Sequence, residues 1–153
     1  MSIAVQIQYA VPRINAPLQA DFQRWVEAAL LNQSKAGEVT IRVTDENEAA
    51  ELNRRYRRKE GATNILSFPF EIPSCVPFDI PLLGDLIICA PVVAREALEQ
   101  AKKEQDHWAH LVVHGVLHLL GFDHQQEVEA QQMEALEVTI LESLGYSDPY
   151  ESI

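Results

Sequence analysis

His114-Gly115-Val116-Leu117-His118-Leu119-Leu120-Gly121-Phe122-Asp123-His124 is the stretch around which this 153-residue chain is organised. His114 and His118 are four residues apart, a spacing that on a helix stacks two side chains one turn apart on one face, so both imidazoles can aim at a single point. Gly121 can take the left-handed conformation that ends a helix cheaply, and the chain can then turn back with His124 toward the same point. Three neutral imidazoles suit a divalent metal such as zinc, and a three-ligand set leaves one coordination position open, the mark of a catalytic site. Ordinary helix histidines are the competing account. Against it, all five histidines, His107, His110, His114, His118 and His124, fall within one 18-residue window.

The same stretch predicts a buried helix over about 105–120. Trp108, Leu111, Val112, Val113, Val116, Leu117, Leu119 and Leu120 leave it almost no polar side except the histidines, and a helix apolar all round is a central one. Imidazoles are costly to bury unless they are paired or metal-bound. His110 lies one turn before His114 and is expected to be a hydrogen-bonded structural residue, a partner behind the ligands or a fourth neighbour of the metal. Gly115 inside a helix costs ~1 kcal/mol relative to alanine, so it points to close packing or to room for a substrate.

The histidine spacing also matches the metzincin protease pattern H-E-x-x-H-x-x-G-x-x-H. Where that pattern carries the glutamate that takes a proton from water, this chain has Gly115, so a metallopeptidase would lack its base. With Gly115, Leu117, Leu119, Gly121 and Asp123 in place, the motif H-G-x-L-H-L-x-G-x-D-H instead resembles that of the bacterial YbeY family of metal-dependent endoribonucleases. Tyr56-Arg57 through Thr63-Asn64-Ile65-Leu66-Ser67-Phe68-Pro69 resembles the family's T-D/N-V-L-S-F-P block, and Leu83-Gly84-Asp85-Leu86 its L-G-D-I strand. The resemblance covers nearly the whole chain.

Length and composition fit one domain spanning 1–153, long enough to bury a sizeable core. No signal-peptide pattern opens the sequence and no apolar run approaches the ~20 residues needed to span a bilayer, which predicts a cytoplasmic protein without a membrane partner. Cys75 and Cys89 form no C-x-x-C pair and read as free thiols. The net charge of −11 opposes a phosphate-rich partner, but its distribution does not. Five of the twelve basic residues, Arg54, Arg55, Arg57, Arg58 and Lys59, sit in six positions, and none follows Lys103. Such a cluster is either a solvated helix end favoured by the macrodipole or a phosphate-binding rim.

Around the histidine helix the pattern reads as α+β. Alternation over 3–9 predicts a strand, and Phe22, Trp25, Val26, Ala29 and Leu30 a helix over about 17–34 with Pro17 at its first position. Val39, Ile41 and Val43 give a second strand, parallel to the first. Thr44 is expected to cap a helix that turns Ala49, Leu52 and Tyr56 inward and delivers the basic cluster at its end. Asn64 to Phe68 predicts a third strand, which Pro69 limits to an edge or an end. A surface loop with four prolines follows over 69–81, then a fourth strand over 82–90, antiparallel to its neighbour. Asp85 within it is either on the solvent face or beside the metal. Pro91 opens another helix. Met133, Leu136, Ile140, Leu141 and Leu144 give a last one, whose acids Glu127, Glu129, Glu134, Glu137 and Glu142 are expected to be solvated. The expected fold is a single mixed four-stranded sheet, mostly parallel with one antiparallel strand, packed with about five helices, the metal site on a central buried helix.

Function follows as an expectation: a divalent ion, Zn2+ or another transition metal, held by His114, His118 and His124, and hydrolysis of a phosphodiester. The family resemblance makes Arg57 the candidate to neutralise the charge that builds on phosphate oxygens, and His114 is counted with it as catalytic. Asp123 either orients a ligand imidazole or caps the turn. A basic rim suits single-stranded RNA. The resemblance implies more: single-strand-specific cleavage, 16S rRNA 3′-end maturation and ribosome quality control, and association with the small ribosomal subunit and its assembly factors. The rivals are a metzincin-like metallopeptidase and a non-enzymatic ribosome-assembly factor whose metal is structural.

Overall fold

The computed structural model describes residues 3–70, 82–122 and 126–150. Strands β1 (Ile3–Tyr9), β2 (Gly37–Thr44), β3 (Ile65–Pro69) and β4 (Leu82–Cys89) form one sheet in the order β1-β2-β4-β3. β1 pairs with β2 and β2 with β4 in parallel, and β3 runs antiparallel to β4 along one edge. Five helices pack with this sheet: α1 (Gln19–Asn32), α2 (Glu46–Arg57), α3 (Ala90–Glu99), α4 (Glu104–Leu119) and α5 (Glu127–Ser143). The mixed α+β architecture is the expected one, including the antiparallel return through β4. The proline-rich loop lies outside the described residues over 71–81, as does Cys75; Cys89 is a buried free thiol. No helix among the described residues is long and apolar enough to cross a membrane.

Alternation places Val5, Val39, Ile41, Val43, Leu86 and Ile88 on one sheet face, where α1 and α4 cover them. Phe22 of α1 makes edge-on ring contacts with Trp25 of the same helix and with Trp108 of α4, at 5.7 Å and 5.8 Å between centroids. α4 touches α1, α3, α5, β3 and β4, which is why its sequence shows no polar stripe. Val112, Val113, Val116 and Leu117 are fully buried there, each worth ~1.5–3 kcal/mol of apolar burial. At its end, Gly121 at φ +101° lets its N–H reach the His118 carbonyl while Phe122 N–H reaches Leu117, a paired closure that turns the chain back over the core.

Three local expectations give way. α1 begins at Gln19, two residues after Pro17, with the Asp21 carboxylate accepting from the Leu18 N–H. Asp45, not Thr44, caps α2: its Oδ1 accepts from Glu48 N at 2.8 Å, whereas Thr44 is buried at the end of β2. Asp45 stands one residue closer to the helix, where a carboxylate reaches the third amide. Tyr56 does not turn inward; 59% of it is exposed, because α2 meets the rest of the molecule mainly through Ala49 and Asn53.

At Gly115 α4 lies close against the sheet. A Cβ built on it would lie 2.7 Å from Ile65 Cδ1 and 2.8 Å from Leu86 Cδ2. The glycine therefore serves packing. Gly115→Ala gains ~1 kcal/mol of helix propensity and loses ~1–3 kcal/mol to overpacking, so urea denaturation should show a net loss of about 1 kcal/mol and a larger loss for Gly115→Val.

α3 is tied to α4 and β3 by Glu96, whose Oε1 accepts from His107 Nε2 at 2.9 Å and Asn64 Nδ2 at 3.0 Å. Burial pushes the His107 pKa below its usual 6.5, and the hydrogen bond to Glu96 only partly offsets this. The unfolded chain therefore takes up a proton first as pH falls, so this residue's contribution is intact above about 6.5 and is lost below it. The metal-free protein should lose stability from pH 6.5 toward 5, measured by urea titration, and His107→Gln, which keeps a donor for Glu96 but does not titrate, should flatten that slope.

Candidate functional site

His114 and His118 project from the last two turns of α4, and their Nε2 atoms are 3.1 Å apart. The spacing that predicted convergence does produce it. On its other side His114 Nδ1 is 2.8 Å from Oε2 of Glu137, a residue of α5 with no exposed surface. A carboxylate only accepts, so Nδ1 carries the proton and Nε2 presents its lone pair toward His118; the tautomer is assigned from this network. Nitrogens held by one tetrahedral zinc at ~2.0–2.1 Å would be about 3.3 Å apart. The observed pair is close to that separation, and the donor set is right for a divalent transition metal.

Glu137 overturns the expectation of a solvated acid. Glu127, Glu129, Glu134 and Glu142 are exposed as predicted, but Glu137 lies one turn from Met133 and Leu141 on the apolar face of α5. Its Oε1 accepts from His110 Nε2 at 2.7 Å and from the Tyr150 hydroxyl at 2.5 Å. Burial alone would raise its pKa, but the hydrogen bonds from His110, His114 and Tyr150 outweigh it and hold the carboxyl at about 2. The same carboxylate and burial push the Tyr150 hydroxyl up, so it stays a donor. The missed signal was heptad position: Met133, Glu137, Ile140 and Leu141 share one face, and an acid in such a row implies partners.

His110 takes the hydrogen-bonded role. Its Nε2 is engaged by Glu137 and Tyr150, and its buried Nδ1 has no hydrogen-bond partner among the described residues. That use of Nε2 removes the support for His110 as a fourth ligand. Asp85 is exposed on the sheet face opposite Leu86, the residue that meets α4, so it is a solvent-face side chain. His124 and Asp123 lie outside the described residues. Among the described residues no group of three histidines, cysteines or carboxylates could hold a metal, so the third position rests on His124 as an expectation.

Gly115 also bears on the peptidase alternative. A side chain at this position would enter the packing between α4, Ile65 and Leu86 instead of facing His114 and His118. A glutamate at this position would have to displace the ends of the Ile65 and Leu86 side chains.

Arg57 is the last helical residue of α2 and is exposed, beside Arg54, Arg55 and the left-handed Arg58 at φ 55°. Glu51 pairs with Arg54 at 2.5 Å and with Arg55 at 3.8 Å. Among the described residues Arg57, Arg58 and Lys59 make no ion pair, which leaves three cations available to an anionic partner. β3 connects the two regions: Phe68 touches Tyr56 with ring centroids 5.3 Å apart, and Ile65 lies against α4 at Gly115.

Comparison with known proteins identifies relatives of this chain. The family model described as Endoribonuclease YbeY matches residues 5–145. A relative from Nitrosococcus oceani named Endoribonuclease YbeY is 83% identical over 153 residues, covering 100% of both chains. A Stutzerimonas stutzeri protein of the same name is 58% identical over 135 residues, 88% of this chain and 84% of its own. The solution structure of TM1509 from Thermotoga maritima shares the fold, with a TM-score of 0.60 at 20% identity over 97% of this chain and 99% of that one. On the match over residues 5–145 and the end-to-end identity with such relatives, this chain belongs to the YbeY endoribonuclease family.

Proposed function

We propose that the protein is a metal-dependent endoribonuclease that cleaves single-stranded RNA, with His114, His118 and His124 holding one divalent ion, zinc or a related transition metal, and Arg57 binding the scissile phosphate. The observation that carries the reading is the pair of Nε2 atoms 3.1 Å apart, one of them fixed as a lone pair by a buried carboxylate. The family membership supplies the RNA.

The chain's own contributions follow from the site. Glu137 holds the Nδ1 proton of His114, which fixes the ring and makes Nε2 more basic toward a cation. A divalent ion, when bound, supplies Lewis acidity and makes water acidic enough to react near neutral pH. Arg57 offers a planar fork to two non-bridging oxygens and neutralises the charge that grows on them in the transition state. The core packing of α4 and the absence of side-chain volume at Gly115 keep the two histidines at a fixed distance from β3. In the cell the family resemblance supports a cytoplasmic role in 16S rRNA 3′-end maturation and ribosome quality control, alongside the small ribosomal subunit and its assembly factors.

The test pairs metal analysis with cleavage of single-stranded RNA, duplex RNA and casein, with and without chelator. Wild type should carry about one metal per chain and cut single-stranded RNA in a chelator-sensitive way, leaving casein intact. His114→Ala should lose both metal and cleavage. Arg57→Ala should keep metal and fold and lose roughly 10²–10³ in rate. Proteolysis with intact RNA would reject the reading, as would an active, metal-free wild type.

Glu137→Gln keeps the size of the side chain but not its charge. It should weaken metal affinity by about 10–100-fold in chelator competition. Unchanged affinity would show that the carboxylate only holds α5 against α4.

A further inference from the structure

Helical spacing places Tyr56 with Ala49 and Leu52, yet 59% of it lies in solvent and no hydrogen bond of its hydroxyl is found among the described residues. Its ring is held edge-on by Phe68, at 5.3 Å between centroids and 72° between planes. In sequence it stands between Arg55 and Arg57. The macrodipole accounts for cations at the end of α2, but it does not account for an exposed aromatic among them. An exposed aromatic followed in sequence by Arg57, Arg58 and Lys59, which make no ion pair among the described residues, matches a single-stranded nucleic acid, which presents phosphates beside unstacked bases.

The position of Phe68 ties this patch to the histidine helix. Gly84 of β4, at φ +149°, has the Phe68 carbonyl oxygen 2.4 Å and Leu119 Cδ2 2.8 Å from where its Cβ would be. Phe68 therefore sits at the end of the edge strand that abuts Leu119, the residue after His118. Its ring and Asp85 occupy the sheet face away from α4, so the aromatic pair lies on the opposite face of β3 from the helix that carries the histidines. A strand of RNA crossing that edge would have the aromatic and cationic patch on one face of β3 and α4 on the other.

We infer that Tyr56, braced by Phe68, is a stacking platform for one unpaired nucleobase, with Arg57, Arg58 and Lys59 holding the neighbouring phosphates. The inference rests on the RNA-cleaving reading and gives it a source of strand selectivity. Bases within a duplex already stack on one another and offer no free face to a side chain, whereas every unpaired base does, whatever its identity. The platform therefore selects for unpaired structure without reading sequence.

The experiment uses metal-replete protein and a single-stranded oligoribonucleotide carrying 2-aminopurine, whose fluorescence is quenched by stacking, in stopped-flow mixing faster than cleavage, with steady-state kinetics alongside. Tyr56→Leu should abolish the quench, weaken binding roughly tenfold or more, and raise KM with little change in kcat. Tyr56→Phe should restore all three, because the ring and not the hydroxyl does the stacking. Thermal melts should show both variants folded, the side chain being exposed. A normal quench and KM in Tyr56→Leu would overturn the platform while leaving the nuclease reading intact. Failure of Tyr56→Phe to restore binding would overturn it too, by assigning the effect to the hydroxyl. A wild type that neither binds nor cleaves RNA would remove the enzymatic reading and the platform together.

Discussion

The buried carboxylate of Glu137 is the constraint on which the site depends. It accepts from His110 and His114 of α4 and from Tyr150 beyond the end of α5, so three parts of the chain are fixed by one ionised group. Taking a carboxylate out of water is expensive, and it is tolerated here because hydrogen bonds compensate the charge. The last turn of α5 helps to supply one of those bonds. Gly145, at φ +92°, closes the helix, and the Tyr146 hydroxyl then accepts from Arg24 and from the indole of buried Trp25, which anchors the segment leading to Tyr150.

The same economy governs α4. It is at once the centre of the hydrophobic core and the carrier of the polar site, so its rigidity is supplied by burial and not by the site itself. Val112, Val113, Val116 and Leu117 lock the rod against α1 and the sheet, while His110, His114 and His118 emerge toward α5 and its carboxylate. Gly115 and Gly84 then let β3 and β4 approach it more closely than any side chain would allow. The position that an aligned protease would use for a base is consumed by this packing. One residue without a side chain thus separates two chemistries that share the same histidine spacing.

The α2 end illustrates the opposite arrangement. Arg57, Arg58, Lys59 and Tyr56 have little packed against them, and what order they have comes from the helix terminus and from Phe68. Such a surface is suited to a flexible polyanion, since cations and one braced ring can accept many strand conformations. The histidine face is fixed by burial, and the basic rim is fixed only where an edge strand touches it. On a chain with a net charge of −11, this local concentration of arginine offers an anionic partner a defined place to approach.

Much of the molecule was legible in the order of residues. Periods of two and of 3.6 gave the strands and helices, Pro69 limited the third strand to an edge or an end, and the irregular return before β4 gave the antiparallel strand. The four-residue histidine spacing gave a convergent pair, because helix geometry is local and holds wherever the helix forms. What the sequence left open were questions of who faces whom. Glu137 resembles its four solvated neighbours until α4 is laid against it, and Tyr56 fits a buried stripe until α2 is found to be covered along only part of its length. Gly115 reads equally as substrate space or as packing until Ile65 and Leu86 arrive from the sheet. Local periodicity determined where each side chain sits on its own element; tertiary packing alone decided the neighbours that give it a charge state, a hydrogen-bond partner or an exposed face.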